Sequence, residues 1–193
     1  MCIKAASYPD PAANRNVKNI LVEHCVLWNA EPGNAVEIGY EVRCDEISDI
    51  TFRDLDIVHC EYEGNQSGGV LTIHNADRAH IHDIVYEDIR VEDAQEKFVD
   101  IKVLDSKYSL DRKRGSVENI YFRNVEILNG NFPVSIIRGF EMHTEMSRPR
   151  NIYFDNVVVL GKQVESPSDL HMVVELSDDI LFNGTAHAKR NPF

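Results

Sequence analysis

The chain has 193 residues, 43% of them hydrophobic, and no apolar run long enough to span a membrane as a helix. A net charge of −12 and a pI near 5.0 argue against nucleic acid, whose phosphates call for a basic footprint. The same balance gives no broad attraction to acidic polysaccharide, so such a ligand would need local Lys and Arg.

In chain order the first predicted element is a short strand, Cys2–Ala5. It follows Met1 at once, so no signal peptide is read there. Prolines and asparagines make Tyr8–Asn16 a loop. Val17–Leu27 (VKNILVEHCVL) then sets a pattern that returns at Ile47–Ile57, Ile81–Val91, Val117–Ile127 and Pro149–Val159. The anchor residues Asn19, Asp49, Asp83, Asn119 and Asn151 are 30, 34, 36 and 32 residues apart, a period that points to a stacked solenoid.

Within each copy, apolar residues alternate at period two, first in the column Ile20, Ile50, Ile84, Ile120, Ile152 and then in Val22, Phe52, Tyr86, Phe122, Phe154. A short polar side chain follows: His24, Asp54, Asp88, Asn124, Asn156. Asn and Asp tolerate left-handed backbone, so this column predicts a bend between two strands. Asp54, Asp88, Asn124 and Asn156 also weigh as calcium ligands, but the bend accounts for all four.

A further strand lies between copies: Ala35–Ile38, Val70–Ile73, Val99–Val103, Val134–Ile137 and Val173–Leu176. Strand, bend, strand and strand per turn predict an all-β fold, a right-handed single-stranded parallel β-helix of about six coils over 1–193. Asp178–Thr185 echoes the repeat only in Ile180 and Phe182, and Ala186–Phe193 reads as a frayed tail.

The densest polar set near a strand is Trp28–Glu46. Alternation turns Glu37 outward between Val36 and Ile38, with Gly33 and Gly39 allowing sharp bends or close ligand approach. Glu41, Arg43, Asp45 and Glu46 follow. Gly68–Arg78 presents Thr72 outward on the next coil, then His74, Asn75, Asp77 and Arg78. Stacking brings the two sets side by side. Glu37 and Asp77 are the candidate catalytic carboxylates, with Glu41 and Asp45 as other partners for Glu37. Lys4, Asn34, Glu41, Arg43, His74, Asn75, Arg78 and Lys102 are candidate contacts to a polysaccharide or oligosaccharide. Each competes with a plain reading as a solvated face or turn residue. The Asp105–Gly115 loop is basic, and Glu141–Arg150 is mixed.

No cofactor is called for. No cysteine pair has zinc spacing, and His80 and His82 share a strand face without a third ligand in the pattern. A Cys44–Cys60 disulfide is open on sequence grounds.

The repeat grammar resembles the pectin-lyase-like β-helix superfamily, most of all the polygalacturonase-type glycoside hydrolases. Those enzymes carry Asp-Asp-x-Ile, then Gly-His-Gly-x-x-Ile-Gly one coil later, then Arg-Ile-Lys. Met1–Ala5 is similar to the tail of the first motif, with its aspartates upstream of Met1. Gly33–Gly39 is similar to the second, with Asn34 in place of His and Ala35 in place of Gly. Gly69–His74 falls on the third and lacks its Arg and Lys. The resemblance covers roughly residues 1–160 and implies polysaccharide hydrolysis and an extracellular or periplasmic setting. With the paired aspartates missing, the chain reads as the C-terminal coils of a longer fold, and no polygalacturonase activity is expected of it. The alternatives are a non-catalytic carbohydrate-binding or assembly module, and a polysaccharide lyase with Arg43 or Arg78 as base. An uncapped first coil also predicts self-association, checked by a light-scattering mass above the 22.0 kDa monomer.

Overall fold

The computed structural model describes residues 1–6, 15–30, 33–61, 68–95, 97–132 and 134–184. Most of the Tyr8–Asn16 loop and the whole Ala186–Phe193 tail lie outside them. The described chain is a β-solenoid of about five turns, with no α-helix. No helix among the described residues is long and apolar enough to cross a membrane.

Two parallel sheets run along it. One is built of short strands, in the order β1 (Cys2–Ala5), β3 (Val36–Val42), β5 (Gly69–Asn75), β7 (Lys97–Val103), β9 (Ser135–Arg138) and β14 (Met172–Glu175). The other is built of long strands, β2 (Val17–Asn29), β4 (Glu46–Cys60), β6 (His80–Val91), β8 (Ser116–Ile127) and β12 (Arg150–Val159). The short β13 (Lys162–Gln163) pairs antiparallel with β12, and β15 (Asp178–Phe182) pairs parallel with it. An antiparallel hairpin, β10 (Phe140–Met142) with β11 (Glu145–Ser147), interrupts the Glu141–Arg150 stretch.

The long strands are long because they bend without breaking pairing, and they bend twice. The expected column is left-handed, with φ from 51° to 55° at Asn124, Asp54, Asn156, Asp88 and His24. The alignment column itself is left-handed too, with φ of 54–58° at Asn19, Asp49, Asp83, Asn119 and Asn151. Sequence reading used that column as an anchor and missed its geometry. Asn and Asp enter this region at low cost, and their side chains also bond along the solenoid axis. Asn119 Nδ2 donates to Asp83 at 3.2 Å and Asn151 Nδ2 to Asn119 at 3.1 Å. Asn124 and Asn156 repeat this at 2.9 Å in the second column, onto Asp88 and Asn124, while Asp54 there meets Arg90 at 2.8 Å and His24 at 2.6 Å.

Inside, like side chains lie over like. Ile20, Ile50, Ile84, Ile120, Ile152 and Ile180 fall in one register. Beside them the rings of Phe52, Tyr86, Phe122, Phe154 and Phe182 stack at 5.2, 5.0, 4.7 and 4.9 Å between centroids. Cys44 and Cys60 are both buried, and no disulfide joins them. At the N-terminal edge β2 has one hydrogen-bonded neighbour among the described strands, and Leu21, Val26 and Trp28 on it are exposed.

Candidate functional site

Register turns strand position into site geometry. On the outer face of the short-strand sheet, Cys2, Glu37, Thr72 and Asp100 form one column. Gly39, His74, Lys102 and Arg138 form the next. Gly39 is required where it stands: its φ is +141°, and a Cβ there would lie 2.4 Å from the carbonyl oxygen of His74. The close approach anticipated at this glycine is thus to the neighbouring coil. β5 extends through Asn75, so His74 belongs to the strand face and not to the loop after it.

His74 is fully buried. Its Nδ1 lies 3.1 Å from Glu37 Oε1 and its Nε2 lies 3.3 Å from Asp100 Oδ2. The Tyr40 ring stacks on it at 4.6 Å. Asp100 is fully buried as well and meets Lys102 Nζ at 2.9 Å and Lys97 Nζ at 3.7 Å. Burial opposes charge on His74, but the carboxylates of Asp100 and Glu37 outweigh it and hold the imidazole above its ordinary range. Burial likewise pushes Asp100 and Glu37 up, and the His74 cation more than reverses this, leaving both below the carboxylate range. Burial lowers Lys102 in spite of its carboxylate neighbour. Burial, reinforced by Glu37, pushes the Cys2 thiol up to about 12, so it stays protonated.

Only part of this cluster reaches solvent, and it does so in a cleft of about 560 Å³. Lys4, Asn34, Glu37, Tyr40 and Glu41 form one side, and Leu104, Ser106, Lys107 and Tyr108 form the other. The Tyr40 and Tyr108 rings meet at 5.7 Å, tilted by 58°. Lys4 Nζ lies 2.5 Å from Glu41 Oε2 and, against the effect of burial, keeps that carboxyl below its usual range. The size is within the roughly 300–1,000 Å³ of small-ligand sites.

The chain matches no protein-family model, no curated protein and no solved structure. The site therefore stands on its own geometry.

Of the residues singled out from sequence, Lys4, Asn34, Glu37 and Glu41 line the cleft together, with His74 and Lys102 behind Glu37. The others sit apart from it and secure the loop that makes the far wall. Asp77 is fully buried and accepts the backbone N–H of Leu110 at 2.8 Å, of Asp111 at 3.0 Å and of Val42 at 3.3 Å. Arg43 Nε lies 3.5 Å from the Asp77 carboxylate. Arg78 pairs with Asp111 at 3.0 Å and Asp45 at 3.3 Å. Asn75 Nδ2 donates to the carbonyls of Ala79 and Ser116. Arg114, from the basic loop, bonds the Ala76 carbonyl.

The His80 and His82 rings meet at 4.2 Å, tilted by 36°, and face carboxylates, Glu118 at 2.8 Å and Asp83 at 2.6 Å. Among the described residues no three ligand side chains converge for a metal ion.

Sequence reading missed Asp100, Tyr40 and Tyr108. Asp100 had a signal: in VDIKV it holds the strand position that Glu37 holds in AVEI and Thr72 in VLTI. Tyr108 had none, because its place depends on how the 104–115 loop folds back.

Proposed function

We propose that this cleft binds carbohydrate and that the protein is a carbohydrate-active β-solenoid. The observation that carries the reading is Tyr40 and Tyr108 set together in a cleft with Glu37 and Glu41. A pyranose is amphipathic in the same way. Its C–H edges pack on the electron-rich face of an aromatic ring, and its hydroxyls donate to ionised carboxylates, which accept stronger bonds than neutral groups. The resemblance of the repeat to polygalacturonase-type hydrolases supports a polymer lying along the same outer face.

Glycoside hydrolysis is the second reading, favoured by Glu37, a carboxylate held ionised at the cleft. It requires a protonated partner on the other side of the scissile bond. Glu41 is the other carboxyl in the cleft and is also held below its ordinary range. Asp77 is committed to three backbone amides. Binding without cleavage is therefore better supported. For a lyase, Arg43 and Arg78 would have to leave their carboxylate partners.

Calorimetry with cellohexaose, xylohexaose and a galacturonan hexamer, alongside a reducing-sugar assay, tests this. Saturable binding to at least one is expected, weakened about tenfold, near 1.4 kcal/mol, by Tyr108→Ala. No reducing ends should appear above the blank. Binding to none of them, or binding indifferent to Tyr108→Ala, would overturn the reading. Release of reducing ends that Glu37→Gln abolishes would establish hydrolysis in its place.

A further inference from the structure

We propose that His74 and Asp100 are a positioning dyad for Glu37, in which a buried imidazolium fixes the cleft carboxylate in place and in its charged form. The proposal deepens the carbohydrate reading, since it assigns what controls the central group of that cleft.

Division of exposure supports it. The side chains of His74 and Asp100 are 0% exposed, and that of Glu37 is 12% exposed. A ligand in the cleft therefore meets Glu37 alone, and the other two act through it. The three form a line, with Glu37 hydrogen-bonded to Nδ1 at 3.1 Å and Asp100 in ion-pair contact with Nε2 at 3.3 Å, without the angle of a hydrogen bond. A neutral imidazole has one N–H and would turn a bare lone pair toward one of these carboxylates, whereas an imidazolium presents a positive N–H to each. The Tyr40 ring on the His74 face blocks rotation out of that line.

Every charged or titratable group around the dyad fits this assignment. From β3 come Glu37 and Glu41, and Glu41 is held by Lys4 of β1. Cys2 of β1 contributes a neutral thiol. From β7 come Asp100 with Lys97 and Lys102 beside it. Arg138 of β9 turns to Glu175 at 2.6 Å. Lys107 and Tyr108 stand on the far wall, the ammonium 4.9 Å from the ring centroid.

The sign follows from these neighbours. A raised imidazole is charged below its ordinary value, about 6.5, and loses its proton only above it. Glu37, lowered, is ionised above its ordinary value of about 4.3. Both charges are in place between those values, and the hold on Glu37 is released as pH rises through the His74 midpoint.

Side-chain NMR on the intact chain tests the dyad without any sugar. The His74 ring nitrogens should show the imidazolium pattern at pH 6.5, with a titration midpoint above it. Glu37→Gln and Asp100→Asn should each lower that midpoint by about one pH unit or more, a tenfold loss of proton affinity. In His74→Gln, the Glu37 carboxyl carbon should titrate at higher pH than in the parent. A neutral His74 ring at pH 6.5, or a midpoint unmoved by Glu37→Gln, would overturn the dyad. Cellohexaose, xylohexaose and the galacturonan hexamer form a separate arm. If one binds, its affinity should fall at least tenfold in the parent as pH rises through the His74 midpoint found by NMR, and less in His74→Gln, and an affinity unchanged across that midpoint would count against the dyad. If none binds, the carbohydrate reading fails while the ring titration still decides the dyad.

Discussion

Truncating Phe122 to alanine is expected to destabilise the protein by about 3–5 kcal/mol, the cost of removing a buried aromatic side chain and leaving a cavity. Phe122 is fully buried in the middle of the ring stack, with Tyr86 at 5.0 Å on one side and Phe154 at 4.7 Å on the other. Phe98 approaches it at 6.5 Å from the short-strand sheet, so the same ring ties the two sheets together. The surrounding backbone is fixed by parallel pairing on both sides of β8 and has little room to collapse. At 2–4 °C per kcal/mol for a chain of this size, the melting temperature should fall by about 6–20 °C. Tyr121→Ala is the control. That ring stacks on Tyr153 at 4.9 Å but on the outer face, and its loss should be much milder. A Phe122→Ala protein as stable as its parent would contradict the stacked core.

Asp100→Ala should cost a similar amount, about 3–5 kcal/mol, because it strands buried cations without their carboxylate. His74, Lys102 and Lys97 all lie within 3.7 Å of Asp100, and no water reaches that side chain. Asp100→Asn should cost less, since the amide still fills the space and accepts a hydrogen bond. The loss should also depend on pH. Asp100 is lowered, so its contribution is present above the ordinary aspartate value near 3.9 and fades as pH falls through its own lower one. His74 is raised, so its contribution is full below about 6.5 and fades as pH rises through its higher value. Urea unfolding of parent and variant across a pH series should show the widest gap between about pH 4 and 6.5. A gap that stays constant over the whole series would contradict the ion cluster.

The fold was legible because a solenoid writes its cross-section into the sequence once per turn. Ile20, Ile50 and Ile84 repeat because each must lie on the next, and Asp54, Asp88 and Asn124 repeat because each must bend the chain at the same place. The site was half legible. Glu37 and Lys4 were readable from alternation and register, since a strand fixes which way a side chain points. Asp77 and Arg78 sit apart from the cleft, and their spacing after the strand looks the same whether they face a ligand or anchor a loop. The 104–115 loop decides between the two, and no periodicity governs it. Asp100 was overlooked for another reason. A carboxylate in a strand of Val and Ile reads as a solvated residue until His74 and Lys102 are seen against it.

The most direct test of the account is a crystal structure of the protein with cellohexaose, xylohexaose or the galacturonan hexamer bound. The account predicts a sugar ring packed against Tyr40 or Tyr108 in the cleft, with a hydroxyl within hydrogen-bonding distance of Glu37 and His74 still bridging Glu37 and Asp100. A chain of sugar lying on the long-strand face instead, or a cleft left empty at saturating ligand, would contradict it.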